Sequence, residues 1–131
     1  MALADPDLPP GIVLPELRDE PPSWLEAACY RGMREAFYGL PRRSRVVVVL
    51  RLGLPGRRPL TLDAISRLFG IGPERVRQLE QHAVWMLLRA LRPSGSPSES
   101  TRDERTAELA PIIAVAVDRH PLDDDPAEGT S

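Results

Sequence analysis

The segment Thr61–Leu91 constrains this 131-residue chain more than any other. Its apolar residues recur at three- to four-residue spacing in two blocks. Leu62, Ile65, Leu68 and Phe69 form the first, and Val76, Leu79, Ala83 and Leu87 the second. Gly70-Ile-Gly-Pro73 separates them. Thr61 suits the cap of a first helix, and Gly70 the left-handed residue that ends it. Pro73 suits the first position of a second helix, where its missing N–H has no partner to lose. On that helix Glu74, Arg77, Gln78 and Gln81 share a polar face apart from the apolar one. Two short helices, a tight turn and a polar face on the second predict a helix-turn-helix, whose second helix enters the DNA major groove.

Charge supports the same reading. The net charge of −2 conceals a sharp division. All 17 basic residues are arginines, and eleven of them fall between Pro41 and Arg92 against three acids, a net +8. The remainder carries −10. A basic segment of this kind attracts polyanions, whatever the total.

The 15 prolines crowd the stretches before Ser23 and after Leu91. The expected plan is a loose, proline-rich acidic tail over 1–22, a folded domain over 23–92, and a linker with an acidic tail over 93–131. A short apolar segment, 109–117, interrupts that tail. Ser23 is a plausible helix cap, followed by a stripe of Leu25, Cys29, Met33, Phe37 and Leu40 that should stop before Pro41. Arg42–Leu52 is ambiguous by propensity, because four consecutive valines favour a strand. Leu54–Pro59 reads as a loop. A short helix is expected near Asp103–Leu109. The run Ile112–Val117 fits a strand, a helical turn packed on the domain, or a partner-binding segment. The expected fold is all-α, a small bundle of about four helices with Pro-rich acidic tails.

Several classes find no support. The first seven residues lack the features of a signal peptide, and no apolar run approaches the length of a membrane span, so the expected setting is cytoplasmic, with no membrane partner. One cysteine, Cys29, gives neither a disulfide framework nor a metal-site spacing and reads as a small buried hydrophobe. His82 reads as a surface residue. There is no Gly-rich phosphate loop, paired metal ligands or Cys/His arrangement, so no catalysis, metal or cofactor is expected.

The stretch Thr61–Ala83 resembles region 4.2 of the sigma-70 family of bacterial transcription initiation factors. Its most particular part is Glu74-Arg-Val-Arg-Gln-Leu-Glu80 followed by Ala83. Upstream, Leu40-Pro with Arg43, then Val47-Val-Val-Leu-Arg-Leu-Gly-Leu54, resembles region 4.1, which favours a helix over Arg42–Leu52. In all, about Trp24 to Arg92 is covered.

The resemblance implies binding to double-stranded DNA at a −35-type promoter element, with the second helix in the major groove. By position, Glu74 matches a glutamate that accepts from a cytosine amino group, and Gln78 a base-contacting glutamine. Arg77 matches an arginine on a base or phosphate, and Arg75 one close to the backbone. Arg43 and Gln81 join this set. Arg51, Thr61 and Leu62 match phosphate-anchoring positions. RNA polymerase core, through its β flap, is the implied protein partner. The 22 residues before Ser23 and 39 after Arg92 are too few for the remaining sigma regions, so a separate partner supplying region 2 is a further expectation.

The departures matter as much. Gly72 stands where the family usually has Ser or Thr, and Pro73 where it has an arginine able to read guanine, worth roughly 1–3 kcal/mol of discrimination. Trp85, Met86 and Leu88 replace basic positions. Trp85 lies ~16 Å along the helix from Glu74, beyond the base-reading end. An exposed Trp85/Met86/Leu88 face would bind protein, or be covered by Ile112–Val117. The alternative function is therefore an interaction module, a polymerase-flap or regulator binder that competes with sigma and has largely lost base reading.

Overall fold

The computed structural model describes residues 8–52, 58–91 and 102–122. Among the described residues five helices carry the fold: α1 (Ala27–Gly39), α2 (Arg42–Leu52), α3 (Leu62–Phe69), α4 (Pro73–Leu91) and α5 (Arg102–Ala116). Two short antiparallel strands, β1 (Glu16–Leu17) and β2 (Val117–Arg119), join the two ends of the described chain. The architecture is the expected small helical bundle, with one more helix and a two-strand clasp.

The four valines lie in a helix because α2 runs between two apolar clusters. Val46, Val47 and Leu50 pack with Ile65 of α3 and Val76 of α4. Val48, Val49 and Leu52 pack with Met33 and Phe37 of α1 and Ala83 and Leu87 of α4. The run 46–50 is buried on all sides and needs no polar stripe, and burial overrides the weak β-preference of valine. Arg45 on the same helix donates from Nε to the Leu40 carbonyl (3.0 Å) and from Nη2 to that of Tyr38 (2.8 Å). It thereby satisfies carbonyls left open at the end of α1.

α1 and α4 cross at close range. A Cβ added at Gly32 would stand 2.9 Å from the Ala90 carbonyl oxygen, so only glycine fits at this crossing. α1 starts at Ala27 rather than after Ser23. Pro22 instead accepts from the Leu25 N–H (3.1 Å), and that turn takes up Ser23 before Glu26 becomes the cap residue.

Residues 8–22, read from the sequence as a tail, lie against the bundle. Leu8, Ile12 and Leu14 cover the α2–α3–α4 cluster, and Leu17 is buried in the other. The Leu17 N–H donates to the Tyr38 hydroxyl (2.9 Å), and the Tyr30 hydroxyl donates to the Arg18 carbonyl (2.5 Å). Arg18 N–H to the Ala116 carbonyl (2.8 Å) and Val13 N–H to that of Pro121 (3.1 Å) extend the clasp. Proline enrichment is a misleading guide here: prolines rigidify an ordered strap as readily as they mark a loose one.

The segment 109–117 is mostly helix. Leu109, Ile112, Ile113 and Ala116 fall on one face of α5 and are buried. Pro111 sits inside this helix, where it removes a backbone donor at a cost of ~3 kcal/mol. Four buried apolar side chains, at about 1.5–3 kcal/mol for each large one, outweigh it. The expected loop at Leu54–Pro59 lies largely outside the described residues; residues 1–7, the linker 93–101 and the tail 123–131 lie wholly outside them.

Candidate nucleic-acid interface

The helix-turn-helix is built by its caps. Thr61 Oγ1 accepts from the Ala64 N–H (3.0 Å) and opens α3. Gly70, at φ +69°, closes it, with the Gly70 and Ile71 N–H groups both reaching the Ser66 carbonyl. Pro73 is the first residue of α4, and the Gly72 carbonyl accepts from Val76 N–H (3.1 Å). Ile65 is fully buried between the two helices, Leu62 and Phe69 are half-buried beside it, and Leu68 is exposed, against expectation.

α4 presents its polar face to solvent. Glu74, Arg75 and Gln78 are exposed, and Arg77 and Gln81 half-buried. Side chains on this face are already paired. Arg77 donates from Nε to Glu74 Oε1 (3.0 Å) and from Nη2 to Glu74 Oε2, a two-pronged bridge. That bridge raises the guanidinium's proton affinity further. Arg75 Nη1 reaches Gln78 Oε1 at 3.4 Å. The face thus offers donors and acceptors to solvent, with the groups held in i,i+3 pairs.

Other expected site residues are placed differently. Arg51 faces inward: its Nε lies 3.3 Å from Glu80 Oε2, and its Nη1 donates to the Leu60 carbonyl (3.0 Å). The Glu80 side chain is only 3% exposed, so this pair is interior. Arg51 therefore ties the segment before α3 to α2 and α4. Arg43 lies over the Phe69 ring, 5.8 Å from its centroid. Thr61 is exposed and Leu62 half-buried at the start of α3.

The Trp85/Met86/Leu88 group divides. Leu88 is buried in the cluster that α5 completes, and Met86 packs against it. Trp85 is half-buried on the outside, with the Arg89 guanidinium 5.2 Å from its ring centroid. The chain's own α5 thus covers much of what reads from the sequence as an exposed apolar patch. Sequence reasoning misses Glu80 as an interior residue, although it falls at Val76 + 4 and Ala83 − 3 on the apolar row. It also passes over Arg42, which lines a cleft with Arg43 and Arg75.

Residues 36–90 match the family model of sigma-70, region 4. Over that stretch the chain is similar to sigma-70 region 4. It is 40% identical over 60 residues to the RNA polymerase sigma-B factor of a Nostoc species, covering 46% of this chain and 18% of that protein. To the RNA polymerase sigma factor RpoS of Coxiella burnetii it is 38% identical over 64 residues, 49% of the chain and 18% of the relative. To the sigma factor SigA of Clostridium acetobutylicum it is 33% identical over 78 residues, 56% and 20% respectively. The chain spans about a fifth of the length of these relatives. No solved structure gives a significant match.

The region 4 match begins inside α1 and ends with α4, so it takes in both the helix-turn-helix and the helix that cements it. The strap before α1 and the α5–β2 unit lie outside the matched region. Among the described residues, no cluster of His, Cys, Asp or Glu is arranged to hold a metal ion, and no helix is long and apolar enough to cross a membrane.

Proposed function

We propose that this chain acts in transcription initiation by binding duplex DNA, with α4 of its region 4 domain laid in the major groove of a −35-type promoter element. The observation that carries the reading is the row Glu74, Arg77 and Gln78 on the solvent side of α4 at its start, beside the α3 cap. A groove-entering helix reads bases with its first turns, and these residue types match cytosine, guanine or phosphate, and adenine. The +8 charge of residues 41–92 supplies attraction to the backbone.

RNA polymerase is the proposed protein partner, through its β flap, and a separate protein would supply sigma region 2. The similar proteins, all RNA polymerase sigma factors, support the first. The competing interaction-module reading depends on an exposed Trp85/Met86/Leu88 face, whereas Leu88 is buried and Trp85 and Met86 are each half-buried.

A pull-down with core RNA polymerase, with and without −35 duplex, tests the proposal. Recovery of polymerase, with DNA retained in the complex, is expected. Polymerase without DNA would favour the interaction module, and DNA without polymerase an independent regulator.

A further inference from the structure

Trp24 is the most exposed large apolar side chain among the described residues, at 58%. It stands in the turn that leads into α1, close to a cleft of about 290 Å³ between the start of α1 and the last turn of α4. Glu26, Ala28, Cys29, Ala90 and Leu91 line that cleft, so apart from Glu26 its walls are short or apolar. The chain runs on from Leu91 as Arg92-Pro-Ser-Gly-Ser-Pro-Ser-Glu-Ser-Thr101, which carries no large apolar side chain to fill it. An indole in water and an apolar hollow in water are both unfavourable, and one can relieve the other.

The charges around the cleft are unmatched as well. Glu26 accepts only from the Cys29 thiol (3.3 Å), and neither Glu26 nor Arg31 has an ion-pair partner among the described residues. Trp24, Ala28, Arg31 and Glu35 are all exposed, at three- to four-residue spacing along one side of α1 and the turn before it.

We propose that this face binds a second copy of the chain across a two-fold axis, each Trp24 entering the cleft of the other copy. A surface that carries both the knob and the hollow complements itself, which is what a two-fold contact requires. An axis near Ala28 and Cys29, midway between residues 26 and 31, sets each Glu26 against Arg31 of the second copy, so that opposite charges meet. Two indoles bury roughly 300–500 Å² together, well short of the ~1,200 Å² of a stable interface, so the dimer is weak, with a Kd on the order of 100 µM. Ala90 lies ~24 Å along α4 from Glu74, so the contact leaves the groove-facing row open and does not rest on the DNA-binding reading.

Sedimentation equilibrium of the full chain under reducing conditions, over concentrations spanning that Kd, tests the proposal. The parent is expected to pass reversibly from monomer to dimer. Trp24→Ala should weaken dimerisation about tenfold or more while the variant melts as the parent monomer does, since the side chain is exposed. Arg31→Glu should weaken it about three- to tenfold, and Glu26→Arg combined with Arg31→Glu should recover most of that loss, which a merely structural role for either residue would not give. A chain that is monomeric at every concentration would overturn the proposal and leave the cleft to a different protein. A dimer that Trp24→Ala leaves intact would overturn it too, as would growth into larger assemblies, the mark of a head-to-tail contact.

Discussion

Arg77 and Glu74 form a two-pronged bridge on the solvent face of α4, with Nε to Oε1 at 3.0 Å. The Glu74 side chain is 63% exposed and that of Arg77 33%, so water screens the pair and it adds little to stability. Its importance lies in what it holds ready. Glu74→Ala should leave the melting temperature within a few degrees of the parent. It should lower discrimination at one base pair by roughly 1–3 kcal/mol, while binding to scrambled DNA holds or rises as a negative charge is removed. Competition titrations against duplexes altered one base pair at a time would measure this.

Arg51 and Glu80 behave in the opposite way. Removing Arg51 strands a carboxylate that is 3% exposed and already has one oxygen without a hydrogen-bond partner. Arg51→Ala should therefore cost about 2–4 kcal/mol, at the lower side of the range for a broken buried pair because Arg51 is itself a quarter exposed. In a domain this small that lowers the melting temperature by roughly ten degrees or more. If Arg51 were chiefly a phosphate anchor, the variant would melt normally and lose only DNA affinity.

Gly32→Ala provides a test of the α1–α4 crossing. By helix propensity alone the change should stabilise by ~0.5–1 kcal/mol. The added methyl would meet the Ala90 carbonyl oxygen at 2.9 Å, and that atom belongs to a rigid helix backbone. Overpacking of this kind costs typically ~1–3 kcal/mol, so the net effect should be destabilising. A denaturant midpoint above that of the parent would mean that the helices part easily.

What the sequence discloses and what it hides divide along the same physical line. The caps of the helix-turn-helix are legible because each depends on one residue's local chemistry: the Thr61 oxygen, the φ of Gly70, the missing N–H of Pro73. Meetings between distant segments are not. Nothing around Leu17 announces that Tyr38 and Val117 will meet it, and a short proline-rich stretch reads as a tail until a partner strand exists. Arg51 illustrates the same limit at the site. Its position suggests a phosphate, but its partner Glu80 lies 29 residues away, so the pair becomes visible only in three dimensions.

Leu17→Ala probes the strap directly. The side chain is buried against α1 and the end of α5, and its truncation should cost about 2–4 kcal/mol. A loosely attached strap would give less than about 1 kcal/mol in chemical denaturation.

Gly72→Ser with Pro73→Arg should restore what the turn lacks for guanine reading. A Cβ at Gly72 meets nothing within 4 Å, and position 73 is exposed, so both changes fit the fold. Affinity for a −35 duplex should rise by about tenfold, consistent with one good base contact. An unchanged affinity at fixed salt would mean that residue 73 does not reach the bases.

The central claim, that the polar row of α4 reads DNA, is tested most directly by fluorescence anisotropy at one fixed salt concentration. A −35-type duplex and a scrambled duplex of equal composition are each titrated with the parent chain and with Glu74→Ala/Gln78→Ala. The account predicts that the parent prefers the −35 duplex by about tenfold or more and that the double variant, folded to the same degree, binds both duplexes equally. A parent chain that binds the two duplexes alike, or a double variant that keeps the preference, would contradict it.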